Sequence, residues 1–273
     1  MNHARVVIIP ARYAATRLPG KPLLEIRGKP LIQHVYEAAC ASDAGRVLIA
    51  TDDDRIAKCA VGFGAEVVRT SVKHASGTDR IAEAVAILGL EAGSIVVNVQ
   101  GDEYGLPPVL VNQVADALQT HPEVSMATLC EPLHDAADYH NPNVVKTVLD
   151  RDHHALYFSR SALPWSDQPW SSIPMRPYRH IGIYAYRAGF LQEYSAMPRA
   201  PLELCERLEQ LRVLYHGYRI HVEEAVAACG IGIDTMEDLE KARRLAAEAG
   251  GSPITGSDHA ITGSAITGSD LES

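Results

Sequence analysis

Aromatic side chains are scarce in this 273-residue chain, at three Phe, two Trp and eleven Tyr, or 6%. Its core must therefore be built from Ala, Val, Ile and Leu. The 47% hydrophobic content is enough to bury one large domain. No apolar run approaches the roughly 20 residues that cross a bilayer, so no membrane partner is expected. The opening Met1 to Pro10 is too short for a signal peptide and reads as a buried strand. Excess positive charge is also missing, since 25 Lys and Arg against 34 Asp and Glu leave a net charge of −9. That balance argues against sequence-independent nucleic-acid binding, which needs a basic face. It leaves room for an enzyme with a few local cations at a nucleotide. The five cysteines, Cys40, Cys59, Cys130, Cys205 and Cys229, are scattered and form no CxxC. Free thiols and a cytoplasmic location are expected. Neither GxxxxGK[ST] nor, after the first strand, GxGxxG occurs, which counts against an ATPase and a classical dehydrogenase.

Short apolar strands alternate with helical spacing. Strands are predicted at 6–10, 46–51, 67–70 and 95–100, and helices at 31–41, 55–63, 80–88 and 107–118. Continuous apolar strands between helices indicate an α/β fold with a mainly parallel sheet flanked by helices. Past residue 120, strands at 124–129, 144–149 and 181–186 are separated by longer loops, of which 166–177 is the longest. Helices return at 202–216 and 236–249. We read a single domain over 1–249 with a smaller substrate lobe near 130–222. The tail 250–273 repeats Ile-Thr-Gly-Ser, lacks apolar periodicity and is expected to be disordered.

The first strand runs into a loop carrying Arg12, Arg17, Gly20 and Lys21. In a parallel sheet the carboxyl end of a strand faces the ligand crevice. Glycine lets backbone approach an anion, Arg forks onto phosphate oxygens and Lys adds a point charge. Asp102 follows the apolar strand at 95–100 and suits a hard cation that shares its shell with phosphates. Asp234 follows a second short apolar stretch, where it reads either as a ligand or as part of a helix start. Asp52-Asp53-Asp54 contains a DxD pattern but is better read as helix capping. His153-His154 reads as a turn, and Thr78 as an N-cap.

The segment IPARYAATRLPGKPL resembles the N-terminal signature of the 3-deoxy-manno-octulosonate (KDO) cytidylyltransferase family, also called CMP-KDO synthetases. The resemblance continues through HASGTDRIAEAV, VNVQGDE, NPNVVKTVLD, ALYFSRSALPW, RHIGIYAYR, PLELCERLEQLRVL and GIDTMEDLEKA, over roughly 5–245. It implies a nucleotide-diphospho-sugar transferase-like fold, with a lobe for substrate and dimerisation. It implies transfer of CMP from CTP to KDO for lipopolysaccharide biosynthesis, a Mg²⁺ cofactor and a homodimer. Arg12, Lys21, Asp102 and Asp234 would be catalytic, and the two aspartates would hold the metal. Pro10, Ala11, Arg12, Lys21, Ser76, Arg80 and Gln100 would contact the nucleotide. Gln100, Arg160, His180, Tyr184, Glu209 and Gln210 would contact the sugar, with Arg160 suited to its carboxylate. Two departures stand out: Asp79 replaces a usual Glu, and Tyr104-Gly105 replaces a stiffer proline-containing stretch. Amino-KDO or another 2-keto acid sugar is the alternative acceptor. A nucleotide-binding module without catalysis is the alternative of another class.

Overall fold

The computed structural model describes residues 5–14, 17–74 and 76–248. In chain order the elements begin with β1 (Arg5–Ala11), β2 (Glu25–Ile26), β3 (Lys29–Pro30), α1 (Leu31–Cys40), β4 (Arg46–Thr51) and α2 (Asp54–Gly62). Next come β5 (Glu66–Arg69), α3 (Gly77–Leu88), β6 (Ile95–Asn98), β7 (Glu103–Tyr104) and α4 (Pro108–Thr120). The middle of the chain forms β8 (Met126–Pro132), α5 (Ala136–His140), β9 (Lys146–Leu149), β10 (Ala155–Ser159) and β11 (Tyr178–Arg187). The last third supplies α6 (Ala188–Ala196), α7 (Pro201–Glu206), α8 (Gln210–Tyr215), β12 (Ile220–Glu224), β13 (Ile231–Gly232) and α9 (Met236–Glu248).

β1 lies inside a nine-stranded sheet, in the order β10-β9-β11-β6-β1-β4-β5, with β8 beside β11 and β12 beside β8. Pairing is parallel across β6, β1, β4 and β5, and antiparallel where β11 meets β6, β8 and β9. The sheet is therefore mixed, and parallel throughout its N-terminal half. β1 is apolar on both faces because both faces are covered. Val7, Ile9 and Ala11 join a cluster with α1, α2, α4 and α9, while Val6 and Ile8 join one with α3, α6 and α8.

The strands expected near 130–222 extend this same sheet, so the lobe is a continuation of the core layer. Two strands of the nine-stranded sheet escape the sequence pattern, β10 in an aromatic-rich run and β12 between His216 and Glu224, as do the two-residue strands β2, β3, β7 and β13. The helix expected at 202–216 is broken. Arg207 adopts φ 56°, a left-handed conformation that ends α7, and α8 starts three residues later. Each half alone shows helical spacing, which is why the sequence reads as continuous.

The break is held by a buried ion pair. Arg212 donates from Nε to Glu203 Oε2 at 2.9 Å and from Nη2 to Oε1 at 2.7 Å, and both side chains are at most 3% exposed. Removing Glu203 leaves the Arg212 charge buried and only partly compensated by Asp79, 3.3 Å from Arg212 Nη1. Glu203→Ala is expected to cost about 3 kcal/mol of stability, read from the urea unfolding midpoint.

Candidate active site

After β1 the chain turns at Gly20, whose φ of 73° suits glycine and whose N–H donates to the Tyr13 carbonyl at 2.8 Å. This turn delivers Lys21 to a meeting point of three segments. Its ammonium contacts the Asp102 carboxylate, Asp234 Oδ1 at 3.0 Å and the Ile233 carbonyl at 3.2 Å. Burial works to discharge Lys21, but Asp102 and Asp234 outweigh it, and its pKa lies above the ordinary lysine value. Arg17 adds a second cation, 2.7 Å from Asp234 Oδ2. Gly101 allows the Asp102 segment to lie against β1, since a Cβ there would sit 2.9 Å from the Pro10 carbonyl oxygen.

Asp234 is not the helix cap. Thr235 and Asp238 cap α9 between them. The Asp238 N–H donates to Thr235 Oγ1 at 3.2 Å, and the Thr235 N–H donates to Asp238 Oδ2 at 2.9 Å. The Asp234 carboxylate is thereby free to face Lys21.

These residues border a cavity of about 340 Å³. Pro10, Ala11, Arg12, Lys21, Ser76, Arg80, Gln100, Asp102 and Asp234 all line it. Ser76, not Thr78, caps α3, accepting from the Asp79 N–H at 3.1 Å. Arg80 is buried, with its guanidinium on Thr70 Oγ1 at 2.5 Å and Asp52 Oδ2 at 3.2 Å. Asp53 caps α2 and Asp54 pairs with Arg69, so the Asp52–Asp54 run is structural.

A second cavity of about 820 Å³ adjoins the first, and Arg17, Gly77, Gln100, Glu209 and Asp234 line both. His180, Tyr184, Glu209 and Gln210 line the larger one. His180 and Tyr184 sit on β11 with their rings 5.4 Å apart. The surrounding protein desolvates His180 and pushes its pKa down to about 3, so its ring is neutral and shares a hydrogen bond of 3.0 Å with Thr128 Oγ1. The Tyr184 hydroxyl donates to Gln210 Oε1 at 3.3 Å. The Gln210 amide nitrogen is buried and, among the described residues, has no hydrogen-bond partner. Glu209 Oε2 accepts from Thr78 Oγ1 at 2.7 Å and from its N–H at 3.3 Å, at the N-terminal end of α3.

Arg160 departs from expectation, because it lines neither cavity. Its guanidinium donates to the carbonyls of Glu206 at 2.8 Å and Pro142 at 2.9 Å. It braces the Asn141–Asn143 segment, which does line the larger cavity. The cations lining the larger cavity are instead Arg17, Arg179, Arg207 and Lys241. Sequence reasoning passes over Arg179, whose strand position resembles any surface arginine, and Arg207, hidden in an apparent helix. Glu103 also lines the cavity, its carboxyl pushed above the ordinary range by burial while accepting from Cys229 Sγ at 3.2 Å.

Tyr104-Gly105 leaves the cavity walls untouched. Tyr104 pairs with Ile231 of β13, and its ring packs edge-on against His34 at 5.1 Å. Gly105 takes φ 74°, and Gly230 fits against it where a Cβ would lie 2.2 Å from the Tyr104 carbonyl oxygen. The tail 250–273 lies outside the described residues.

A family profile described as cytidylyltransferase matches residues 6–220. The 3-deoxy-manno-octulosonate cytidylyltransferase of Idiomarina loihiensis is 52% identical over 248 residues, covering 89% of this chain and 98% of its own. That of Pseudomonas fluorescens SBW25 is 55% identical over 251 residues, covering 90% and 99%. A solved CMP:2-keto-3-deoxy-manno-octonic acid synthetase complexed with CTP superposes with a TM-score of 0.83 at 42% identity, covering 90% of this chain and 99% of that one. A glucose-1-phosphate thymidylyltransferase from Bacillus anthracis shares the fold at a TM-score of 0.62 and 16% identity.

The unfolded chain protonates His180 near the ordinary 6.5, whereas the folded protein keeps it neutral down to about 3. The unfolded state therefore binds more protons in this window, and the stability contributed by His180 is lost as pH falls from 6.5 toward 3. An NMR titration should show no His180 ring transition above pH 5.

Proposed function

The chain belongs to the 3-deoxy-manno-octulosonate cytidylyltransferases, and we propose on that ground that it transfers CMP from CTP to KDO, releasing pyrophosphate. The observation that carries this reading is the pair of joined cavities. One is lined by Arg12, Lys21, Asp102 and Asp234, and the other by His180, Tyr184 and Gln210, with Glu209 lining both. A bound triphosphate in the first would face a sugar in the second across Gln100 and Glu209.

The sugar 2-hydroxyl attacks the α-phosphorus, a new P–O bond forms, and the bond to the β-phosphate breaks. Arg12 and Lys21 meet the charge on the triphosphate and on the departing pyrophosphate. Gln100, at the junction, orients the two reactants toward each other. His180 stays neutral and, with Tyr184 and Gln210, offers hydrogen bonds to sugar hydroxyls. Arg179, Arg207 and Lys241 supply positive charge for the sugar carboxylate.

Mg²⁺ is proposed as the cofactor, held by Asp102 and Asp234. The donor set supports this: two carboxylates already converge on one cation, the Lys21 ammonium, and hard oxygen ligands shared with phosphates suit Mg²⁺. When bound, the ion would neutralise phosphate charge and favour ionisation of the attacking hydroxyl.

A homodimer is proposed as well, supported by Leu156 on edge strand β10 and Leu202 and Leu204 on α7, all exposed. The five cysteines are free thiols, and no helix among the described residues is long and apolar enough to cross a membrane. The free thiols support the proposal that the enzyme works in a reducing compartment, the cytoplasm.

Asp102→Asn and Lys21→Ala should each lower kcat/KM for CTP and KDO by about 100-fold or more, with unchanged far-UV circular dichroism. Wild-type turnover in either variant would sink the assignment. In the same pyrophosphate-release assay KDO should be used and a sialic acid should not.

A further inference from the structure

Away from both cavities, the C-terminal end of α4 meets β12 through an unusual contact. His121, which follows the last residue of α4, stacks its ring on that of His221 with centroids 3.7 Å apart. Glu223, two residues along β12 and so on the same face, brings Oε1 to 3.6 Å from His221 Nε2. One ligand atom from each of the three lies within 4.8 Å of the others.

The groups around these side chains are arranged as they are around metal ligands. His121 Nδ1 lies 2.8 Å from the Ala117 carbonyl, to which it must donate, leaving the lone pair on Nε2. Such a carbonyl partner commonly fixes the tautomer of a ligating histidine. Gln113 Nε2 donates to Glu223 Oε2 at 3.1 Å and orients the carboxylate. His221 is 4% exposed, and among the described residues its Nδ1 has no hydrogen-bond partner. The buried Nε2 of His154 is equally without one, in a ring whose centroid is 6.0 Å from that of His221. Burying the His221 nitrogen unpaired costs free energy that a cation held on that nitrogen would recover.

We propose that His121, His221 and Glu223 form a binding site for a zinc-class divalent transition ion, separate from the Asp102 and Asp234 pair. Two imidazoles and one carboxylate suit Zn²⁺ and its borderline neighbours, and three protein ligands leave one position for water. A tetrahedral ion sets its donor atoms about 3.4 Å apart. The side chains must therefore close by up to about 1.4 Å from their present spread, and the two rings must turn out of their stack. The bound ion cross-links α4 to β12, whose sequence separation is 100 residues, and so stabilises the fold at a distance from the chemistry. The site does not rest on the proposed cytidylyl transfer.

The test uses the untagged full-length protein, stripped with chelator and titrated with Zn²⁺ by calorimetry, with thermal melting in parallel. One ion should bind per chain through this cluster, with a higher Tm. His121→Ala and Glu223→Gln, both at partly exposed positions, should each weaken Zn²⁺ affinity at least tenfold while Mg²⁺-dependent turnover stays unchanged. Co²⁺ should give the visible absorption of a tetrahedral site in the wild type and not in His121→Ala. Absence of Zn²⁺ binding would overturn the proposal. So would Zn²⁺ affinity that survives His121→Ala, or that is lost instead in Asp102→Asn.

Discussion

The contact of Lys21 with Asp102 and Asp234 organises the rest of the structure. It joins three segments far apart in sequence: the loop after β1, the end of the β6 segment, and the approach to α9. Each segment is shaped to reach it. Gly20 turns the first, Gly101 lets the second lie against β1, and Thr235 with Asp238 caps α9 so that Asp234 need not. Without the cation, two carboxylates would face each other across a partly buried space, at a Coulombic cost. Lys21, helped by Arg17 on Asp234, therefore holds the two carboxylates together at the edge of the smaller cavity.

Glu209 plays the corresponding part between the two cavities. It lies in the short gap opened by the left-handed Arg207, and its carboxylate reaches the start of α3 at Thr78. The same break presents Gln210 to the larger cavity, with a buried amide nitrogen left to a ligand. The buried Glu203–Arg212 pair holds the two halves of the broken helix together. A continuous helix from 202 to 216 would carry Glu209 and Gln210 on other faces and separate the functions of the two cavities.

The N-terminal half is legible in the sequence because its strands are apolar on both faces and alternate with helices of clear period. Val6 to Ile9 and Ile95 to Val97 could be little else. The residues proposed to meet the nucleotide from the first loop are legible because a loop directly after such a strand must lie at the crevice. What the sequence conceals depends on long-range geometry. Arg160 suits a carboxylate by type, yet its guanidinium is held by main-chain carbonyls that no local pattern shows. Arg207 conceals a helix break because its neighbours on both sides keep helical spacing. His153-His154 forms the turn its sequence suggests, with Asp150 accepting from the His154 N–H at 2.8 Å. Its approach to His221 emerges only in the fold, because that partner strand is 67 positions away. Tyr104-Gly105 is unsettled in sequence because its compensation, Gly230, lies far along the chain.

The two joined cavities are suited to bring a nucleoside triphosphate and an acidic sugar together for a single displacement at the α-phosphorus. A ³¹P NMR spectrum of the protein incubated with CTP, KDO and Mg²⁺ puts that displacement to the most direct test. A new phosphodiester resonance from CMP-KDO should grow in equal amount with pyrophosphate. CTP left intact, or its conversion to CDP and inorganic phosphate, would contradict a displacement at that atom.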